Sequence, residues 1–106
     1  MLKPRTEAVL DALGTPTRRA ILARLQKAPC AVGEIAAGLP VSRPAVSKHL
    51  RILRRARLVK ARSMGTRTIY SLDARGFERA RSWLDEFWDT ALARFRMVAE
   101  NTQENE

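Results

Sequence analysis

The chain has 106 residues, 45% of them apolar, with 20 Lys or Arg against 11 Asp or Glu and a formal net charge of +9. That length fits one domain with a modest core, which pairing with a second copy would enlarge. The composition excludes a disordered or collagen-like chain, and no segment approaches the roughly 20 apolar residues needed to span a bilayer.

The opening residues Met1 to Glu7 carry charge with no apolar h-region behind them, so no signal peptide is expected and the protein is placed in the cytoplasm. Its one cysteine, Cys30, cannot form an internal disulfide, which fits a reducing compartment.

In chain order, Thr6 to Leu13 sets Val9, Leu10 and Leu13 on one helical face, with Gly14 placed to end that helix in a left-handed conformation. Thr15-Pro16 then supplies an N-cap and a first-turn proline for a second helix that turns Ile21, Leu22 and Leu25 inward and is stopped by Pro29. A short third helix runs from Val32 to Ala37, ending at Gly38. Ala31 before it lacks the hydroxyl that would complete a capping box with Glu34, so a weakly capped start is expected.

Ser42 caps a fourth helix through Leu53. With about 3.6 residues per turn, Val46, Leu50 and Leu53 fall on one side, whereas Pro44, Ser47, Lys48, Arg51 and Arg55 fall on the other. The outward set holds small, polar and basic groups and no acid. This is the composition of a helix that can enter a DNA groove.

Two strand-like stretches follow, Leu58 to Ser63 and Thr66 to Leu72, with Met64-Gly65 at the hairpin tip. A last helix is expected over Phe77 to Val98, holding five of the six aromatic residues, and the stretch from Glu100 onward is a polar tail expected to fray. The apolar stripe through Trp83, Phe87, Trp88, Leu92 and Phe95 is wider than one face of a small protomer covers, so a subunit interface is the economical assignment; packing against the first helix is the alternative.

Charge is unevenly placed. Residues 1–72 hold 15 Lys or Arg against three acids, and between Arg43 and Arg67 there are nine basic residues and no acid. A charge run alone is usually a solvated surface, but its coincidence with the groove-shaped helix points to nucleic acid. The order helix, helix, short helix, turn, helix, hairpin, helix is that of a winged helix-turn-helix domain: mainly α with a small β-hairpin. The expected division is one domain over residues 1–98, with helix-turn-helix at 32–56, wing at 58–72, dimerisation helix at 77–98 and a polar tail at 99–106.

The run Leu13-Gly14-Thr15-Pro16-Thr17-Arg18-Arg19-Ala20-Ile21-Leu22, then Val32-Gly33-Glu34-Ile35-Ala36, then Ser42 to Leu53, Leu58-Val59 and the Gly65 wing resemble, in order and spacing, the ArsR/SmtB-like family of small bacterial winged-helix repressors. The resemblance covers residues 6–98. It implies a homodimer built from the first and last helices, which binds a palindromic double-stranded DNA operator and is released by an inducer. Many members sense metals through a Cys-Val-Cys-Asp motif; the matching positions here are Ala31, Val32, Gly33 and Glu34, and Cys30 is out of register. The last helix contains no His, so neither common metal site is expected, nor any other cofactor, and the effector is left open.

Base contacts are therefore assigned to Arg43, Pro44, Ser47 and Lys48, with Ser47 and Lys48 foremost because they lie one turn into the helix on its outward face. Arg51 and Arg55 on the helix and Arg62 and Arg67 on the wing are assigned to phosphate or minor groove. Val9, Leu10, Leu13, Trp83, Phe87, Trp88, Leu92 and Phe95 are assigned to the dimer interface. Arg54 and Arg57, at the helix end, equally suit the helix dipole. Trp83, Phe87 and Trp88 could instead line an effector pocket, with core or interface as the default. Cys30 is expected to be a semi-buried packing residue, and His49 a packed, hydrogen-bonded one. The alternative function is a winged-helix module that binds protein or RNA. Catalysis is not expected, because there is no phosphate loop, no paired carboxylates in a cleft and no nucleophile with a base at hand.

Overall fold

The computed structural model describes residues 2–104, with side chains through Glu100. Helix α1 spans Pro4–Leu13, α2 Pro16–Lys27, α3 Val32–Ala37 and α4 Arg43–Arg55; strands β1 (Cys30–Ala31), β2 (Val59–Met64) and β3 (Arg67–Leu72) surround them, and α5 (Ala74–Glu104) closes the chain. The strands form one antiparallel sheet in the order β1-β3-β2, a winged helix-turn-helix arrangement. Strand β1 is an addition to the expected hairpin, pairing Cys30 with Tyr70 and Ala31 with Ile69.

The core lies where α1, α2, α3 and α4 meet the base of the sheet. Val9, Ile21, Ile35, Val46, Leu53 and Leu58 are completely buried. Their positions are the inward ones of each amphipathic segment, which is why the order of elements in the sequence settles the packing. Arg18 and Arg19, in the first turn of α2, bind the end of α1: Arg18 Nε donates to the Ala12 carbonyl at 2.9 Å and Arg19 Nη1 to that of Leu13 at 2.9 Å. These cations satisfy carbonyls that the helix leaves free and complement its dipole. Gly14 stays right-handed (φ −75°), contrary to the left-handed stop expected; the two arginines supply the termination instead.

The end of α4 is unusual. Arg57 sits in the left-handed region at φ 62°, with its N–H donating to the Arg54 carbonyl and the Leu58 N–H donating to Leu53. That is a Schellman motif with arginine where glycine is the usual residue. Gly76 packs directly on it, its N–H donating to the Arg57 carbonyl at 2.8 Å. A Cβ on Gly76 would lie 2.6 Å from that carbonyl oxygen and 2.7 Å from the Ala56 oxygen, so glycine is what lets α5 dock against the end of α4.

Asp73 starts α5. Its carboxylate is buried, accepts the Arg75 backbone N–H at 3.0 Å, and pairs with the Arg75 guanidinium at 2.7 Å. The Arg75 guanidinium and N–H hold its pKa down to about 2, against 3.8 for a free aspartate. Because the folded value is the lower one, this contribution is full above pH 3.8 and disappears as pH falls towards 2. Arg75 is largely exposed, so solvent screening limits the effect to about 1–2 kcal/mol. Urea titrations of the wild type and Asp73→Asn at pH 5 and pH 2 should show the two stabilities converging at the lower pH; a constant gap would remove Asp73 as the acid-sensitive group.

Helix α5 has 31 residues and is about 46 Å long at 1.5 Å per residue. Only its beginning packs on the core, through Phe77 and the buried Ala80. From Leu84 onward its large apolar side chains are exposed: Phe87 and Trp88 at 53% each, Phe95 at 67%. The helix also continues through Glu104, past the expected end at Val98. Glu, Gln and Asn-containing sequence there has no proline or glycine to stop it. The last two residues of the expected polar tail lie outside the described ones.

Candidate nucleic-acid interface

Helix α4 presents the surface expected of it. The Ser42 hydroxyl oxygen accepts the Ala45 N–H at 3.3 Å, and Pro44 occupies a first-turn position, where its missing N–H leaves no hydrogen bond unmade. Val46, Leu50 and Leu53 anchor the inner face. Arg43, Pro44, Lys48, Arg51, Arg54 and Arg55 are exposed and Ser47 is half-buried, so the structure gathers the expected helix residues on one open face.

His49, on the border of that face, has its Nδ1 3.3 Å from Arg18 Nη1. The guanidinium is always a donor, so the imidazole is neutral with Nδ1 accepting. Burial first, and the Arg18 and Lys48 charges after it, push its pKa down. Arg18 thereby ties the middle of α4 to the end of α1, a link spanning 31 residues that local sequence could not disclose.

The wing is a six-pair β2–β3 ladder closing on Gly65-Thr66, one position later than the expected tip. Gly65 has φ +64° with open space around its Cα, the geometry a two-residue hairpin needs at its first loop position. Arg62 and Arg67 are exposed on its flanks. Arg62 Nη2 lies 3.6 Å from the Met64 sulfur.

Arg67 has a partner that sequence reading missed. Its guanidinium is ion-paired with Glu34 at the start of α3, both side chains remaining about half exposed. The other Glu34 contact is the Ala31 N–H, which donates to Oε1 at 3.3 Å. Half of a capping box therefore forms: alanine has no oxygen to return the bond, as expected, but Glu34 still covers one N–H. The Ala31 N–H and Arg67 both stabilise the Glu34 carboxylate and lower its pKa. Arg43 reaches the same turn, within 3.7 Å of where a Gly33 Cβ would stand. The first turn of α3 thus meets a wing arginine at Glu34 and an α4 arginine at Gly33.

At the family's thiolate positions, Ala31 and Gly33 offer no donor side chain. Cys30 is buried in β1 and burial raises its thiol pKa. Among the described residues, no three His, Cys, Asp or Glu side chains come together as a metal site would need. Nor, among the described residues, is any helix long and apolar enough to cross a membrane.

The proposed interface residues divide. Val9 lies wholly inside the protomer's own core and is not on the surface at all, a correction that follows from α1 turning it towards α2 and α4. Leu10 and Leu13 are partly buried against that core. Trp83 is half-buried and stacks on Phe87 with ring centroids 5.6 Å apart; Phe87 meets Trp88 edge-on at 5.9 Å. Leu92 and Phe95 are exposed further along.

Residues 13–62 match the model of a helix-turn-helix domain family. The chain is 51% identical to the HTH-type transcriptional regulator Rv2034 of Mycobacterium tuberculosis, over 86% of this chain and 85% of that one. It is also similar to the solved structure of an ArsR-like transcriptional regulator from Rhodococcus sp. RHA1, with a TM-score of 0.75 at 31% identity over 90% and 92% of the two chains. A third similar structure is the homodimeric winged helix-turn-helix DNA-binding domain Mb0332 of Mycobacterium bovis, TM-score 0.64 at 29% identity over 85% and 83%. The chain belongs to the ArsR/SmtB-like family of winged helix-turn-helix transcriptional regulators.

Proposed function

We propose that the protein is a cytoplasmic, non-enzymatic repressor that binds a palindromic duplex operator as a homodimer. The observation that carries this reading is α4: a capped helix anchored by Val46, Leu50 and Leu53, whose open face holds Ser47, Lys48 and four arginines and no acid. The exposed aromatic half of α5 supports dimerisation, as does the homodimeric state of the Mycobacterium bovis relative. Two copies would set their recognition helices in successive major grooves about 34–36 Å apart.

In this reading Arg43, Pro44, Ser47 and Lys48 face base edges, while Arg51, Arg55, Arg62 and Arg67 hold phosphates. Arg67 exchanges its Glu34 partner for a phosphate on binding. Trp83, Phe87, Trp88, Leu92 and Phe95, with Leu10 and Leu13 beside them, form the subunit contact.

Operator and random duplex affinities of two variants test these roles. Lys48→Ala should reduce discrimination between the duplexes by about 1–3 kcal/mol. Arg67→Ala should weaken both together and reduce the salt slope by up to about 2, about one for each copy in the dimer. Equal losses of discrimination in the two variants would contradict the assignment.

A further inference from the structure

On the side of the molecule where α1, the end of α4 and the start of α5 converge, five arginines line one concavity of about 720 Å³: Arg5, Arg55, Arg57, Arg75 and Arg79. Pro4, Ala8, Ala56 and Ala74 complete its lining, and its one acidic lining residue is Glu78. We propose that this concavity binds a small anion carrying several phosphates, of the inorganic triphosphate or nucleoside triphosphate class.

Three observations converge on that ligand. The Arg75 guanidinium is held by Asp73, but those of Arg5, Arg55, Arg57 and Arg79 have no hydrogen bond or ion pair among the described residues. Four uncompensated cations this close repel one another, and a polyanion relieves that repulsion while accepting charge-assisted hydrogen bonds. Helix α1 begins at Pro4, in the lining, without a side-chain cap, so the positive end of its dipole adds to the local positive field.

The third observation is Arg57. It keeps a left-handed backbone that glycine would adopt without strain, and its side chain lines the concavity. A non-glycine residue held there fits retention for its guanidinium. An arginine-lined concavity suits a compact ligand better than the convex backbone of a duplex, and its volume is in the range of small-molecule sites. Because the site joins the end of the recognition helix to α1 and α5, occupancy would reach both DNA-binding and subunit-contact elements.

Calorimetric titration of the full-length protein with sodium triphosphate, and in parallel with ATP, tests the proposal without any operator. Saturable binding is expected, and Arg57→Gly and Arg79→Gln should each weaken it by about tenfold. Glu78→Gln should strengthen it. Lys27→Gln removes an exposed charge at the far end of α2 and should leave it within about twofold, as screening of a distant surface charge requires. Absence of saturable binding, or an equal loss in Lys27→Gln, would overturn the site. If Arg57→Gly and Arg79→Gln weaken duplex binding but not triphosphate binding, the cluster serves the DNA backbone and the proposal is wrong. Failure of the repressor reading would appear separately, as loss of duplex binding with triphosphate binding intact.

Discussion

Raising monovalent salt from 50 to 200 mM should lower the affinity for duplex DNA by about 10³- to 10⁵-fold, the range for six to ten neutralised phosphates per dimer. The figure follows from the placement of charge. Arg51 and Arg55 on α4 and Arg62 and Arg67 on the wing are all exposed, which gives eight candidate phosphate contacts in two copies. Each released counterion adds to the slope, so the logarithm of affinity should fall linearly with the logarithm of salt. The Glu34–Arg67 pair modifies this. Exchange of a carboxylate for a phosphate recovers less than capture of a free guanidinium would, so Arg67 should contribute at the low end. A nearly flat salt series would leave the exposed basic face without a role in binding.

The second large effect should come from the far half of α5. Phe87→Asp and Trp88→Asp alter side chains that are half exposed in the protomer, so the fold should survive each change. A charge set in the centre of an apolar contact should nevertheless separate the subunits, since an unpaired buried charge costs several kcal/mol. Sedimentation at micromolar concentration should then show monomers with unchanged helix content. Operator affinity should drop by about 10²- to 10⁴-fold as the second half-site ceases to bind intramolecularly. A dimer that persists in both variants would move the contact elsewhere.

How far the sequence disclosed this protein depends on whether its structure is set by neighbours along the chain or across it. Helix α4 was legible because its cap, its proline and its three-and-four spacing are all local. Strand β1 was not: two residues, Cys30 and Ala31, are extended only because β3 offers them Tyr70 and Ile69. The left-handed Arg57 escaped notice because the usual marker is glycine, and the partner that accommodates it, Gly76, is 19 residues away. At Gly14 the usual marker misled in the other direction, since Arg18 and Arg19 terminate α1 without a left-handed residue.

The interface shows the same division. The basic face of α4 and the glycine-tipped wing follow from composition and period. That Arg67 answers to Glu34, or that Arg18 holds His49, does not, because the partners come from separate elements. The arginine-lined concavity draws on three segments that are far apart in the chain and meet only in the fold. Val9 was misplaced for a related reason: helical spacing identifies an apolar face but not which neighbour covers it.

The central claim is that this chain presents α4 twice, to two grooves of one duplex. Selecting bound sequences from a random duplex pool and footprinting the winner tests it most directly. The expected result is an inverted repeat whose protected half-sites are about 10–10.5 base pairs apart, centre to centre, or a multiple of that spacing. A single unrepeated half-site, or no enriched sequence at all, would contradict it.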